Sequence, residues 1–444
     1  MTRLLVVYLA SVAVCSGIAV ERIAPPVSEL AAPADVRAKL EAGLDELADE
    51  IAKTRDAVYG NPGLGALLPD VLIFQKAVDW ALRYGEFYHT NEFRTAHGLL
   101  DAGLDRARQL RSGVAPWTES SGLVVRGYVS RVDGSVQPYG LVVPDGWRKG
   151  TAQRFRLDVW LHGRDDKLTE LKFLDQRQRQ RGEFAPADAI VLHPYGRYCN
   201  AFKFAGETDV LEAMAAVRRH YPIDDRRLAI RGFSMGGGGT WHLAAHYPGT
   251  WVVAAPGAGF AESAEYLGKL TKEPFPPAWE QTMWGLYDAT DYALNFFNLP
   301  LIAYSGRLDK QIQAAQIMEK HLGAAGMSLR HVIGDNIGHK YTPPAKEEIS
   351  EYVHNIVALG KDTVPARIKF TTRTLRYPRS HWVVVEGMSK HWEPARVEAA
   401  IAEGRRIELE TSGVTAFRLS FGAGELPVSL IAGGPNGRLG TVSV

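Results

Sequence analysis

Leu228–Ala229–Ile230–Arg231–Gly232–Phe233–Ser234–Met235–Gly236–Gly237–Gly238–Gly239–Thr240 decides how the rest of the chain is read. The apolar run Leu228–Ala229–Ile230 reads as a buried strand, and Thr240 to Tyr247 as a helix. Between them, Gly232-x-Ser234-x-Gly236 has the spacing of a sharp strand-to-helix turn that lifts a serine hydroxyl above a sheet. Glycine suits both flanks because a Cβ would clash in so tight a turn. G-x-S-x-G alone is a common pattern, and a structural serine in a glycine-rich turn is the competing reading. The strand before it and the helix after it favour a reactive serine.

Outward from this turn, strands alternate with helices. Strands are predicted at Arg156 to Leu161, Ala189 to His193, Arg227 to Arg231, Val252 to Ala255, Leu301 to Tyr304 and Ser328 to Ile333. Helices fall at Glu170 to Gln180, Asp209 to His220, Thr240 to Tyr247, Ile312 to Ala325 and Glu347 to Leu359. Two earlier strands, Leu123 to Val129 and Tyr139 to Val143, flank the hairpin signal Asp133–Gly134. Repeated strand–helix units predict an α/β fold over 123–360, with a mostly parallel sheet covered on both faces.

A serine hydroxyl needs a base to take its proton. His339, in Gly338–His339–Lys340–Tyr341, is the best base, and Asp309, in Gly306-x-x-Asp309, the best orienting acid. Asp335 and Asp288 are the alternative acids. Ser234, Asp309 and His339 each lie beyond the carboxyl end of a predicted strand, where open α/β sheets build their sites. The developing oxyanion needs backbone donors: Met235 N–H, and Arg164 N–H from His162–Gly163–Arg164. His162 reads as support for that loop. Substrate contacts are expected from Tyr195 and Arg197 after one strand, and from Trp279, Trp284 and Tyr287 in an aromatic stretch between Phe260 and Asn298. Asp209 reads as the cap of its helix. His242 and His246 are four apart, but Leu243 stands where a zinc protease needs glutamate. No metal and no cofactor is expected.

The flanks differ from the centre. Residues 31–117 are helical, with apolar residues three and four apart from Asp35 to Val58, Pro69 to Gly85 and Glu92 to Leu110. Residues 365–444 read as a small β-rich domain. Its strand candidates are Ile368 to Leu375, Trp382 to Glu386, Arg406 to Glu410, Ala416 to Phe421 and Pro427 to Ile431, with one helix at Pro394 to Ala402. Residues 1–20 read as a signal peptide: Arg3, an uncharged apolar run, then small residues near Ser16 to Ala19. The expected destination is periplasmic or secreted. Two cysteines, Cys15 and Cys199, exclude a disulfide scaffold. With 51 basic against 50 acidic residues, nothing in the overall charge calls for nucleic acid. No obligate protein partner is expected.

His162–Gly163–Arg164, Gly232–Phe233–Ser234–Met235–Gly236–Gly237, Gly306-x-x-Asp309 and Gly338–His339 together resemble the α/β-hydrolase superfamily, in its prolyl-oligopeptidase-like branch of serine hydrolases and esterases. The likeness spans roughly Tyr128 to Leu359. It implies a serine nucleophile, an acyl-enzyme and hydrolysis by water. Oligopeptidases of this branch usually carry a β-propeller before the hydrolase domain, and the helical region here is too short for one. The expected substrate is therefore a small-molecule or polymer-linked carboxylic ester, with an acyl ester on carbohydrate as one form. A peptidase or amidase is the alternative, and a retained scaffold that only binds is a third reading.

Overall fold

A computed structural model describes residues 25–271, 275–402 and 406–425. The expected signal peptide and the strand candidate at 427–431 lie outside the described residues.

Four helices open the fold: α1 (Ala34–Val58), α2 (Pro62–Gly65), α3 (Pro69–Tyr84) and α4 (Asn91–Arg111). Proline begins α3, where its missing N–H would have had no partner, and Gly85 ends it in the left-handed region at φ 66°. The helices bury Leu47, Ile51, Phe74, Val78, Leu99 and Leu104 against one another. Each such side chain removed from water contributes roughly 1.5–3 kcal/mol.

The centre is one eight-stranded sheet: β1 (Gly122–Val129), β2 (Val136–Val143), β3 (Phe155–Leu161), β4 (Ala189–Pro194), β5 (Ile223–Phe233), β6 (Val253–Gly257), β7 (Ile302–Gly306) and β8 (Arg330–Gly334). Its spatial order is β1-β2-β4-β3-β5-β6-β7-β8. β1 and β2 pair antiparallel, as do β2 and β4, while the strands from β4 to β8 run parallel. The intervening helices are α5 (Glu170–Arg179), α6 (Ala205–His220), α7 (Met235–His246), α8 (Ser263–Glu265), α9 (Ala278–Trp284), α10 (Ile312–Ala324) and α11 (Pro343–Leu359). This is the α/β-hydrolase fold: a mostly parallel sheet between helical layers.

Two expectations need correction. Asp209 does not cap its helix. α6 begins at Ala205, so Asp209 lies inside it, fully buried. Its carboxylate accepts from Gly196 N (2.7 Å) and from the Tyr128 hydroxyl. The expected helix at Pro394 to Ala402 is a strand, β12 (Ala395–Ala402). Ala395, Val397 and Ala399 are buried while Arg396 and Glu398 are exposed, which is a period of two. β12 lies between β9 (Arg367–Thr372) and β13 (Arg406–Ser412), and pairing on both sides overrides the helical bias of its alanines. A second small sheet holds β10 (Arg379–Ser380), β11 (Val383–Met388) and β14 (Val414–Leu419).

Asp70 of α3 ties the helices to the sheet. Its carboxylate accepts from Arg126 Nε (2.9 Å), Gly127 N (2.8 Å) and Trp117 Nε1 (2.9 Å), all buried. Gly127 lets the elements meet, because a Cβ there would stand 2.3 Å from the Pro69 carbonyl oxygen. Asn295 ties the other side, donating to Ala245 O at the end of α7 (2.7 Å) and accepting from Thr371 N of β9 (2.8 Å). Asp70→Ala leaves the Arg126 guanidinium buried without its carboxylate. Urea unfolding should show a loss of about 3–5 kcal/mol, the usual result of halving a buried ion pair.

Candidate active site

Ser234 joins β5 to α7 with φ 57° and ψ −120°, a conformation that a side chain other than glycine adopts only under constraint. The constraint is close packing of backbone. A Cβ at Gly236 would stand 1.9 Å from the Leu161 carbonyl oxygen of β3, and one at Gly232 would stand 2.2 Å from Gly236 O. Ser234 N donates to Gly257 O at the end of β6 (2.9 Å). Neighbouring strands thus hold the turn in place from both sides. All four glycines that follow Met235 are helical, so α7 starts directly at the serine.

Asp309 follows β7, and its Oδ2 accepts from His339 Nδ1 at 2.7 Å. Oδ1 accepts from Gln311 N (2.9 Å), which fixes the carboxylate. Asp309 is buried at 6% exposure, whereas the His339 side chain is 40% exposed. With Nδ1–H given to the carboxylate, the neutral imidazole keeps Nε2 as its free acceptor. Leu308 N donates to Ile337 O (2.9 Å) and stitches the two loops together. The His339 ring packs on Phe233, next to Ser234, at 4.8 Å between centroids. The other acids are occupied elsewhere. Asp335 pairs with Arg307 at 2.7 Å in the open, and Asp288 accepts from Ser263 (2.7 Å).

The His162–Gly163–Arg164 loop runs beside the serine: a Cβ at Gly163 would be 3.6 Å from Ser234 Cβ. The Arg164 guanidinium turns outward to Asp166 (2.6 Å), so what this residue brings to the turn is its backbone. His162 is anchored underneath, with Nδ1 2.9 Å from Gly163 O and Nε2 3.0 Å from Tyr195 O. Burial lowers its pKa against the opposing pull of those carbonyls. Met235 N–H opens α7, where the helix dipole favours negative charge.

The expected substrate contacts are scattered. Tyr195 is buried and donates to Leu168 O (3.0 Å), and Arg197 pairs with Asp133 (2.7 Å). Both line a cavity of about 320 Å³ with Trp80 and Glu86 of the helical region. Trp279 is 71% exposed, and Trp284 packs edge-on against Phe275 at 5.6 Å. Tyr287 is buried, its hydroxyl donating to Glu207 (2.8 Å). His242 and His246 are also buried, and no metal-holding cluster occurs among the described residues.

Three features escaped the sequence reading. Phe260 lies against α7, with its ring 2.7 Å from where a Gly238 Cβ would be. Lys203 holds its ammonium 5.4 Å from the rings of both Phe260 and Tyr287, and burial lowers its pKa while Asp288 opposes this. The loop carrying Lys203 is strained: Arg197, Tyr198, Ala201, Phe202 and Phe204 all have positive φ. Asn200, whose Oδ1 accepts from Phe202 N (2.9 Å), was the only turn-forming signal there besides Gly196.

Residues 203–355, about a third of the chain and the part that holds Ser234, Asp309 and His339, match the model of the prolyl oligopeptidase family. This part of the sheet domain is similar to that family. No curated protein sequence matches this chain. Among solved structures it is similar to fluorophosphonate-binding serine hydrolase F of Staphylococcus aureus, at 19% identity and TM-score 0.42, over 54% of this chain and 99% of that one. An S-formylglutathione hydrolase from Agrobacterium tumefaciens aligns at 15% identity and TM-score 0.40, over 53% and 95%. A dipeptidyl aminopeptidase IV-like chain from Bacteroides ovatus aligns at 12% and 0.41, over 54% and 36%.

The geometry separates the candidate acids. Asp309→Asn should slow covalent labelling by a fluorophosphonate by about 10³–10⁴, since the wrong imidazole tautomer then faces the serine. Asp335→Asn should label at the wild-type rate. Stopped labelling followed by in-gel fluorescence measures both.

Proposed function

We propose that this hydrolase is exported and cleaves carboxylic esters through Ser234, His339 and Asp309. The observation that carries the reading is the 2.7 Å bond from His339 to buried Asp309, beside a serine held at φ 57°. His339 Nε2 takes the Ser234 proton as Oγ attacks the ester carbonyl. Asp309 holds the tautomer and stabilises the imidazolium that forms. The Met235 and Arg164 backbone N–H groups receive the oxyanion. The imidazolium then protonates the departing alcohol. Water, deprotonated by the same histidine, releases the acid and restores the serine.

An ester is favoured over a peptide with a free amino terminus by the charge near the elbow. Lys203 places a cation over Phe260, against the elbow helix, where an incoming ammonium would be repelled. Glu207, the buried carboxylate closest in sequence to that loop, already accepts from Tyr247, Tyr287 and Tyr377. Exposed Phe275 and Trp279 offer the aromatic surface that an acyl group on a carbohydrate would use. Export rests on the apolar stretch after Arg3. The family match keeps peptide or amide hydrolysis as the second reading.

Initial rates on p-nitrophenyl esters and on aminoacyl p-nitroanilides decide between the two. Higher kcat/KM on the esters is expected, and a preference for anilides bearing a free amine would reverse the assignment. Ser234→Ala should lower kcat by roughly 10⁴–10⁶ on whichever class is cleaved, as removal of a serine nucleophile does elsewhere.

A further inference from the structure

Behind the His162–Gly163–Arg164 loop lies a second cavity, of about 400 Å³, that none of the steps above uses. The end of α5 and residues 180–183 form one wall, and Trp160, His162 and His193 at the ends of β3 and β4 form the other. Ser234, Asp309 and His339 do not line it. His162 does, while its neighbour Gly163 faces Ser234.

The polar groups here are mostly donors without acceptors. Arg177 Nη1 lies 3.1 Å from His193 Nδ1 and donates to it. That contact makes Nδ1 an acceptor and puts the proton of the neutral ring on Nε2. Nε2 is buried and makes no hydrogen bond of acceptable geometry, although the Arg181 backbone lies on its side. The Arg177 stem is held by close packing, since a Cβ at Gly140 would be 2.6 Å from its Cγ. Burial pushes the Arg177 guanidinium down to about 10, with no carboxylate opposing. Arg181 makes no ion pair among the described residues. The one acid in the lining, Glu183, bonds outward to Lys346 (2.7 Å).

Arg177, Arg181 and a buried N–H thus border a cavity whose one lining carboxylate, Glu183, is already paired. A partly buried cation without an anion is unfavourable, and a planar guanidinium matches an oxyanion with two parallel bonds. We propose that this cavity binds a small oxyanion, a carboxylate or phosphate group, held by Arg177, Arg181 and His193 Nε2–H. The site lies on the far side of the loop that carries the Arg164 donor. It does not depend on which bond the serine cleaves.

Isothermal titration of the intact protein with sodium phosphate, and separately with sodium acetate, against sodium chloride at equal ionic strength tests the proposal. Saturable binding of one anion per chain is expected for at least one of the two, and the one that binds identifies the group. Arg177→Gln or Arg181→Gln should weaken it by at least about tenfold, or about 1.4 kcal/mol. Arg181 is exposed, so its replacement leaves the fold intact and decides the matter if Arg177→Gln does not fold. Ser234→Ala should bind like the wild type, which separates this result from the fate of the catalytic reading. Absence of saturable binding, or unchanged binding in every folded arginine variant, overturns the proposal.

Discussion

The backbone of β3 passes the start of α7 so closely that the Leu161 carbonyl occupies the space of a Gly236 side chain. The placement of Ser234 follows from this contact. It holds the serine at positive φ, and it brings the His162–Arg164 loop alongside. It also starts α7 directly after the serine. A turn free to relax would return Ser234 to ordinary helical geometry and lose the alignment of all three. Strain of this kind, of order 1–3 kcal/mol, persists only where the surrounding structure over-determines it.

That surrounding structure is tied at three points. Asp70 fixes the helical region to β1, Asn295 fixes α7 to the carboxyl-terminal sheet, and Glu207 gathers three tyrosine hydroxyls from α7's end, the aromatic segment and residue 377. Tyr377 also stacks on His246 at 3.6 Å. The carboxyl-terminal strands therefore reach the far end of the helix whose near end carries the serine.

What the sequence made legible was set by local rules. The alternation of strand and helix from Arg156 to Leu359 needs only periodicity and turn residues, and the structure follows it closely. Ser234, Asp309 and His339 stood out because each ends a strand and each has glycine nearby. Pro394 to Ala402 was misread because alanines favour a helix in isolation, while its true state depends on two neighbouring strands. Asp209 was misread because a helix start four residues earlier depends on the strained loop before it. Lys203, Phe260 and the cationic cavity have no signature in chain order. They arise where segments distant in sequence meet, and only topology brings them together. The sequence favoured Asp309 as the acid on His339 but left Asp335 and Asp288 as alternatives, and the 2.7 Å contact of Asp309 with His339 Nδ1 separates them.

The central claim is that Ser234 carries the acyl group during turnover. Acid quenching of the protein while it turns over a p-nitrophenyl ester, followed by peptide mapping in a mass spectrometer, tests this directly. The account predicts the mass of the acyl group on Ser234, in the peptide that also contains Gly232 and Gly236. An acyl group on another residue, or turnover with no acylated peptide at any quench time, would contradict it.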